Sequence, residues 1–91
     1  MRALAVCGFG VGSSMVLKMS VEKAARELGV EMEVDNTDIS SAKAEVADVY
    51  FTGPDFAKEL VASGKQHVYV VERYMDKDEV KGQLECFLKG E

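Results

Sequence analysis

The sequence predicts an α/β fold: a four-stranded parallel sheet flanked by helices, in a three-layer α/β/α sandwich, with a cysteine-containing glycine loop after the first strand. Three observations lead there. Short apolar or β-branched runs alternate along the chain with longer segments of helical periodicity. The first run, Arg2 to Val6, is apolar without strict alternation, as in a strand buried on both faces. Alternation at this spacing implies right-handed crossovers between parallel strands.

After that first strand comes Cys7-Gly8-Phe9-Gly10-Val11-Gly12-Ser13-Ser14, where three glycines continue neither strand nor helix cheaply. Ser13 or Ser14 is expected to cap a helix from Met15 to Leu28, with Leu17, Val21, Ala24, Ala25 and Leu28 on one stripe and Gly29 ending it. Val30 to Val34 alternates as a half-exposed edge strand, followed by a loop at Asp35 to Asp38 and a short helical turn at Ser40 to Glu45. Asp48 to Thr52 is the third strand. Gly53-Pro54 opens a helix with Phe56, Ala57, Leu60 and Val61 on its apolar face, closed by Gly64. His67 to Val71 is the fourth strand, and Glu72 to Met75 a loop. Asp76, with Glu79 three residues on, caps a last helix whose stripe is Val80, Leu84, Phe87 and Leu88.

At 91 residues the chain has room for one domain, residues 1–91, with a small core. Its composition is 47% hydrophobic and 30% charged, which excludes disorder. The 11 basic residues against 16 acidic give a net charge of -5, which opposes non-specific nucleic-acid binding and attachment to an anionic membrane. The uncharged stretch from Ala3 to Leu17 is too short to span a bilayer and lacks a signal-peptide cleavage site, so no membrane insertion and a cytoplasmic location are expected. Cys7 and Cys86 form no CxxC pair and read as reduced thiols.

In a parallel sheet, ligands bind beyond the carboxyl ends of the strands, where the Cys7 loop lies. Its glycines let backbone N–H groups converge, and the following helix adds its unpaired N–H groups and positive dipole end. Gly8, Phe9, Gly10, Val11, Gly12, Ser13 and Ser14 thus form an anion cradle of phosphate size, a phosphate loop. Those N–H groups favour thiolate at Cys7, which makes it the candidate nucleophile. The plain alternative is a small buried hydrophobe beside a tight turn; the glycines and serines opening a helix weigh against it. A cysteine phosphatase places an arginine six residues after its nucleophile, to clamp the transition-state charge. Serine stands at that position here, Ser13, so the loop suits carrying a phosphoryl group and giving it to a partner. No metal or other cofactor is required, and no residue cluster suggests one.

Cys7-Gly8-x-Gly10-x-Gly12-Ser13-Ser14-Met15 after a short apolar strand resembles the IIB component of the phosphoenolpyruvate-dependent sugar phosphotransferase system. Through Lys18-Met19 the likeness leans to its ascorbate-type branch. The strand and helix order is similar over nearly the whole chain, and the sharp motif covers Cys7 to Met19. The resemblance implies a phosphotransferase that accepts a phosphoryl group on Cys7 from a phosphohistidine of IIA. It then passes the group to a sugar, ascorbate in that branch, held by the membrane component IIC.

Met15 and Met19, one turn apart beside Lys18, suit a surface that docks two partners, although scattered surface apolars need no explanation. A monomer with small, weak interfaces is expected, because a carrier must release each partner. Thr52, Gly53, Arg73, Tyr74 and Asp38 are placed on the Cys7 side of the sheet, while His67 falls at the opposite end and Cys86 has no expected role. Three rival readings stand beside the carrier. Gly8-x-Gly10-x-x-Ser13 with Asp35 approaches a dinucleotide fingerprint, but its third glycine is replaced. A small cysteine phosphatase or arsenate-reductase-like enzyme lacks its arginine at Ser13. A phosphorylation-state regulatory module differs only in its partner.

Overall fold

The computed structural model describes residues 1–7 and 11–90, with the backbone alone at 11–13. In chain order the elements are β1 (Arg2–Cys7), α1 (Val11–Glu27), β2 (Glu33–Asp38), α2 (Ile39–Ala44), β3 (Val49–Thr52), α3 (Pro54–Ala62), β4 (Val68–Val70) and α4 (Lys77–Leu88). The strands form one sheet of order β2-β1-β3-β4, and each neighbouring pair is parallel. β1 is therefore bonded on both edges, and its side chains feed two cores by alternation. Ala3 and Ala5 face a cluster with Leu17, Val21, Ala24 and Ala25 of α1 and Val80 and Leu84 of α4. Leu4 and Val6 face Ala42 of α2 and Leu60 of α3, with Tyr50. These are the two outer layers of the expected sandwich.

Several expected boundaries move. α1 starts at Val11, so Ser13 and Ser14 lie inside its first turn and are not its cap. Extending an existing helix back through Gly12 fixes only one residue at a time, a smaller cost than nucleation. β2 spans Glu33–Asp38 rather than Val30 to Val34, so the expected loop at Asp35 to Asp38 is strand. The register runs from Arg2 opposite Glu33 to Cys7 opposite Asp38, and β1 thereby decides which residues of the edge strand pair. Val30 and Met32 pack on the core from the connection before the strand. Val61 and Leu88, expected on apolar helix faces, are exposed.

The chain-terminating signals act locally. Gly29 has φ +71°, Val30 N–H donates to Ala25 C=O at 2.9 Å and Gly29 N–H to Arg26 C=O at 3.2 Å, a Schellman end for α1. Pro54 occupies the first turn of α3, and Gly64 at φ +93° follows its end. The Asp76 carboxylate accepts from Asp78 and Glu79 N–H at 3.0 and 3.2 Å, capping α4. Glu79 does not close the reciprocal box onto Asp76. Its carboxylate reaches further back and accepts from the N–H groups of Glu72 and Arg73, both at 2.9 Å. An Asp76→Ala variant is expected to lose about 1 kcal/mol, lowering Tm by roughly 4–8 °C for a chain of this size, as read by thermal unfolding; an unchanged Tm would remove this cap from the account.

Candidate functional site

Cys7 closes β1 and is 8% exposed. The order β2-β1-β3-β4 makes the β1–β3 boundary the point where successive connections depart in opposite directions, the usual ligand crevice of such a sheet. Cys7 stands on that boundary. On one side its register partner is Asp38; on the other, Val6 pairs with Thr52 and Gly53 follows. The buried Thr52 Oγ1 donates to Val6 C=O at 3.0 Å, which ties the two strand ends together one residue before the thiol.

Gly8, Phe9 and Gly10 lie outside the described residues, as do the side chains of Val11 and Ser13. The described backbone places Val11, Gly12 and Ser13 in the first turn of α1, directly after the loop. A helix beginning there sends its unpaired N–H groups and positive dipole end towards the Cys7 end of β1. Ser14 is buried, and Asn36 Nδ2 donates to its Oγ at 3.1 Å, joining the helix start to β2. Sequence reasoning missed Asn36, because the segment holding it reads as a loop until its pairing with β1 is known.

Asp38 is not a free site carboxylate. It caps α2, accepting from Ser41 N–H at 2.6 Å, and its backbone and hydroxyl hydrogen bonds with Ser41 hold the carboxyl below the usual range. Arg73 is exposed, with its backbone N–H committed to Glu79. His67 lies at the amino end of β4, at φ +55°, its ring edge-on to Phe87 at 5.2 Å, far from Cys7 as expected. Cys86 is a half-buried thiol on α4.

Tyr74, in the loop after β4, reaches Gly53 at the carboxyl end of β3. Its hydroxyl lies against the backbone of Gly53. A Cβ at Gly53 would stand 2.7 Å from that oxygen. Burial pushes the hydroxyl above the usual phenol range, and negative charge at Cys7 and Asp55 pushes it the same way; the Gly53 backbone acts against them. Ser20 Oγ donates to the Tyr74 carbonyl and fixes the loop on α1.

Met15 and Met19 are exposed on α1, and Lys18 is half-buried. Between α1 and the start of α4 runs a groove of about 360 Å³ lined by Val16, Met19, Ser20, Lys23, Met75 and Lys77. Met75, 85% exposed, and Val16 are apolar surface residues that the sequence reading did not single out. A depression of about 580 Å³ among Met1, Glu22, Arg26 and Met32 lies by the amino end of β1, away from Cys7, and contains no nucleophile.

Comparison with known proteins fits this geometry. The sequence model of the family described as "PTS system, Lactose/Cellobiose specific IIB subunit" matches residues 2–85. The chain belongs to the PTS IIB family. A protein of Mycoplasma pneumoniae named ascorbate-specific PTS system EIIB component is 30% identical over 86 residues, covering 92% of this chain and 90% of that protein. The component of the same name from Escherichia coli O157:H7 is 33% identical over 69 residues, 74% of this chain and 68% of that protein. The lactose-specific IIB component domain from Streptococcus pneumoniae shares the fold with a TM-score of 0.67 at 15% identity, covering 98% of this chain and 95% of its own. The IIB fold is thus the α/β sandwich described above, and phosphoryl transfer in sugar uptake is the activity of this family member. The membership implies a IIA and a IIC partner, and no helix among the described residues is long and apolar enough to cross a membrane.

The contact of Tyr74 with Gly53 gives a direct test of the site. Gly53→Ala is expected to cost about 1–3 kcal/mol by overpacking. In a Tyr74→Phe background the nearest ring atom is 3.6 Å away, ordinary contact, and the same substitution is expected to be nearly neutral. Urea denaturation of the four proteins measures this coupling; equal costs in both backgrounds would place the hydroxyl elsewhere.

Proposed function

We propose that Cys7 is the phosphoryl acceptor of this IIB chain and that Gly8 to Ser14 is its phosphate loop. The observation that carries the reading is the position of Cys7: last residue of an inner strand, at the switch point of the sheet, four positions before the first residue of α1. The Cys7 thiolate attacks phosphorus of a IIA phosphohistidine whose other ring nitrogen carries a proton; the S–P bond forms, the N–P bond breaks and a neutral imidazole leaves. In the second step a sugar hydroxyl attacks, the S–P bond breaks, the thiolate returns and one proton is released. Loop N–H groups offset the charge on the phosphoryl oxygens in both steps.

The sugar we assign is ascorbate. Two relatives covering most of this chain carry that specificity in their names, and both are more similar in sequence than the lactose-specific structural neighbour. The family description favours lactose or cellobiose as the second reading. Met15, Lys18 and Met19, with Val16 and Met75 beside them, form the docking surface for the partners; unbranched methionines repack readily against different surfaces. The chain acts as one domain and a monomer in the cytoplasm, with IIA as donor and membrane-bound IIC presenting the sugar.

Incubation with phosphoenolpyruvate and a donor chain ending in phospho-IIA is expected to add one phosphoryl group by intact mass. Cys7→Ser should abolish the gain and Cys86→Ser should retain it. A phosphoryl group that persists in Cys7→Ser would refute the assignment. Addition of IIC vesicles with ascorbate, lactose or cellobiose then identifies the sugar by which one discharges the carrier.

A further inference from the structure

We propose that Asn36 is a positioning residue for phosphoryl transfer: through Ser14 it holds the first turn of α1 against the strand that carries Cys7. This rests on the carrier reading, in which Ser14 closes the phosphate loop. Strand alternation puts Val34 and Asn36 of β2 on the sheet face of Ala3 and Ala5, the face that α1 covers. On α1, Ser14 lies three and seven residues before Leu17 and Val21, so it continues their buried stripe. Each row is apolar at Val34 or Leu17 and polar at the position nearer Cys7. Ser14 is 3% exposed, and a buried hydroxyl is costly unless it is hydrogen-bonded. Asn36 Nδ2 supplies a donor at 3.1 Å. Replacing both partners of such a pair by apolar groups can be nearly neutral in stability, so the pair specifies position more than it stabilises.

What the pair positions follows from the register. Asn36 stands opposite Ala5, and two residues further along Asp38 stands opposite Cys7. β2 is thus locked to the strand of the thiol and, through Asn36, to the helix start. The first turn of α1 contains Gly12, a weak helix former, and helix ends fray. The hydrogen bond from the sheet fixes this turn where local propensity does not. N–H groups of a first turn have no intrahelical acceptor, and in the carrier reading they face the phosphoryl oxygens. A small displacement of the turn relative to Cys7 moves those donors off the transferring group. The exposed Met15 and Met19 lie on the outer side of α1, so partner binding does not use the pair.

The test compares Asn36→Ala, Ser14→Ala, the double variant and Val34→Ala, which loosens β2 from its buried core position and removes no polar group. Two quantities are read. Amide exchange at Met15 and Val16, whose N–H groups bond back to Val11 and Gly12 in the helix, reports opening of the first turn. Single-turnover phosphorylation of Cys7 at varied phospho-IIA separates the maximal rate from the half-saturating concentration. Asn36→Ala is expected to speed the exchange about fivefold, the factor of an ordinary hydrogen bond. It should lower the maximal rate about tenfold and leave half-saturation in place. In a Ser14→Ala background the same substitution should add nothing to either effect. Val34→Ala should lower Tm and leave the maximal rate unchanged. An unchanged maximal rate in Asn36→Ala, an effect that persists undiminished without the Ser14 hydroxyl, or an equal loss of rate in Val34→Ala would overturn the positioning role. Faster exchange in Asn36→Ala with no phosphoryl group on Cys7 of the parent would overturn the carrier assignment and uphold the tie between β2 and α1.

Discussion

The pairing of β1 on both edges and its burial on both faces set the position of everything else. Ala3, Leu4, Ala5 and Val6 are wholly inaccessible to solvent, and a strand in that situation has no backbone group or side chain left to adjust. Small residues at 3 and 5 let α1 approach, and larger ones at 4 and 6 meet Ala42 and Leu60 across the other face. The strand end is then fixed in space, and Cys7 with it. A side chain held at the end of the most constrained strand of a sheet needs little further ordering before it meets a partner.

The same constraint explains how distant parts of the chain reach the thiol. Each flanking strand delivers its own end to the Cys7 side: β2 brings Asn36 to Ser14, and β3 brings Thr52 to the Val6 carbonyl. Beyond β4 the chain returns through a loop held by Glu79 and Ser20, and that loop sets Tyr74 on Gly53. The groups that fix these positions are polar and buried or half-buried. Their value lies in geometry more than in net stability, since a satisfied hydrogen bond contributes only about 1 kcal/mol. A carrier must also meet two partners in turn. The proposed function sets fixed strand ends beside the exposed methionines of α1, which separates these two demands.

Much of this was legible in the residues because it is local. Gly29, Pro54, Gly64 and Asp76 act within a few positions of themselves, through backbone conformation or capping, and each ends or starts an element where the sequence places it. The apolar run before Cys7 identifies a doubly buried strand without reference to its neighbours. The edge strand was misplaced for the opposite reason. Val30 to Val34 has a two-residue period, but period alone does not fix register, and pairing with β1 selects Glu33–Asp38. That shift turned the segment of Asn36 from loop into strand and made Asp38 a helix cap.

What the sequence determined by itself is the order and kind of the elements, the glycine-rich segment after the first strand, and the cysteine at its head, because hydrophobic period and backbone freedom are properties of short stretches. What the tertiary structure decided is which residues meet. Tyr74 and Gly53 are separated by a helix and a strand, and their contact exists only because parallel strands carry all their ends to one side. Glu79 carries the sequence mark of a capping box and instead holds a loop, since the nearest unpaired N–H groups in space belong to Glu72 and Arg73.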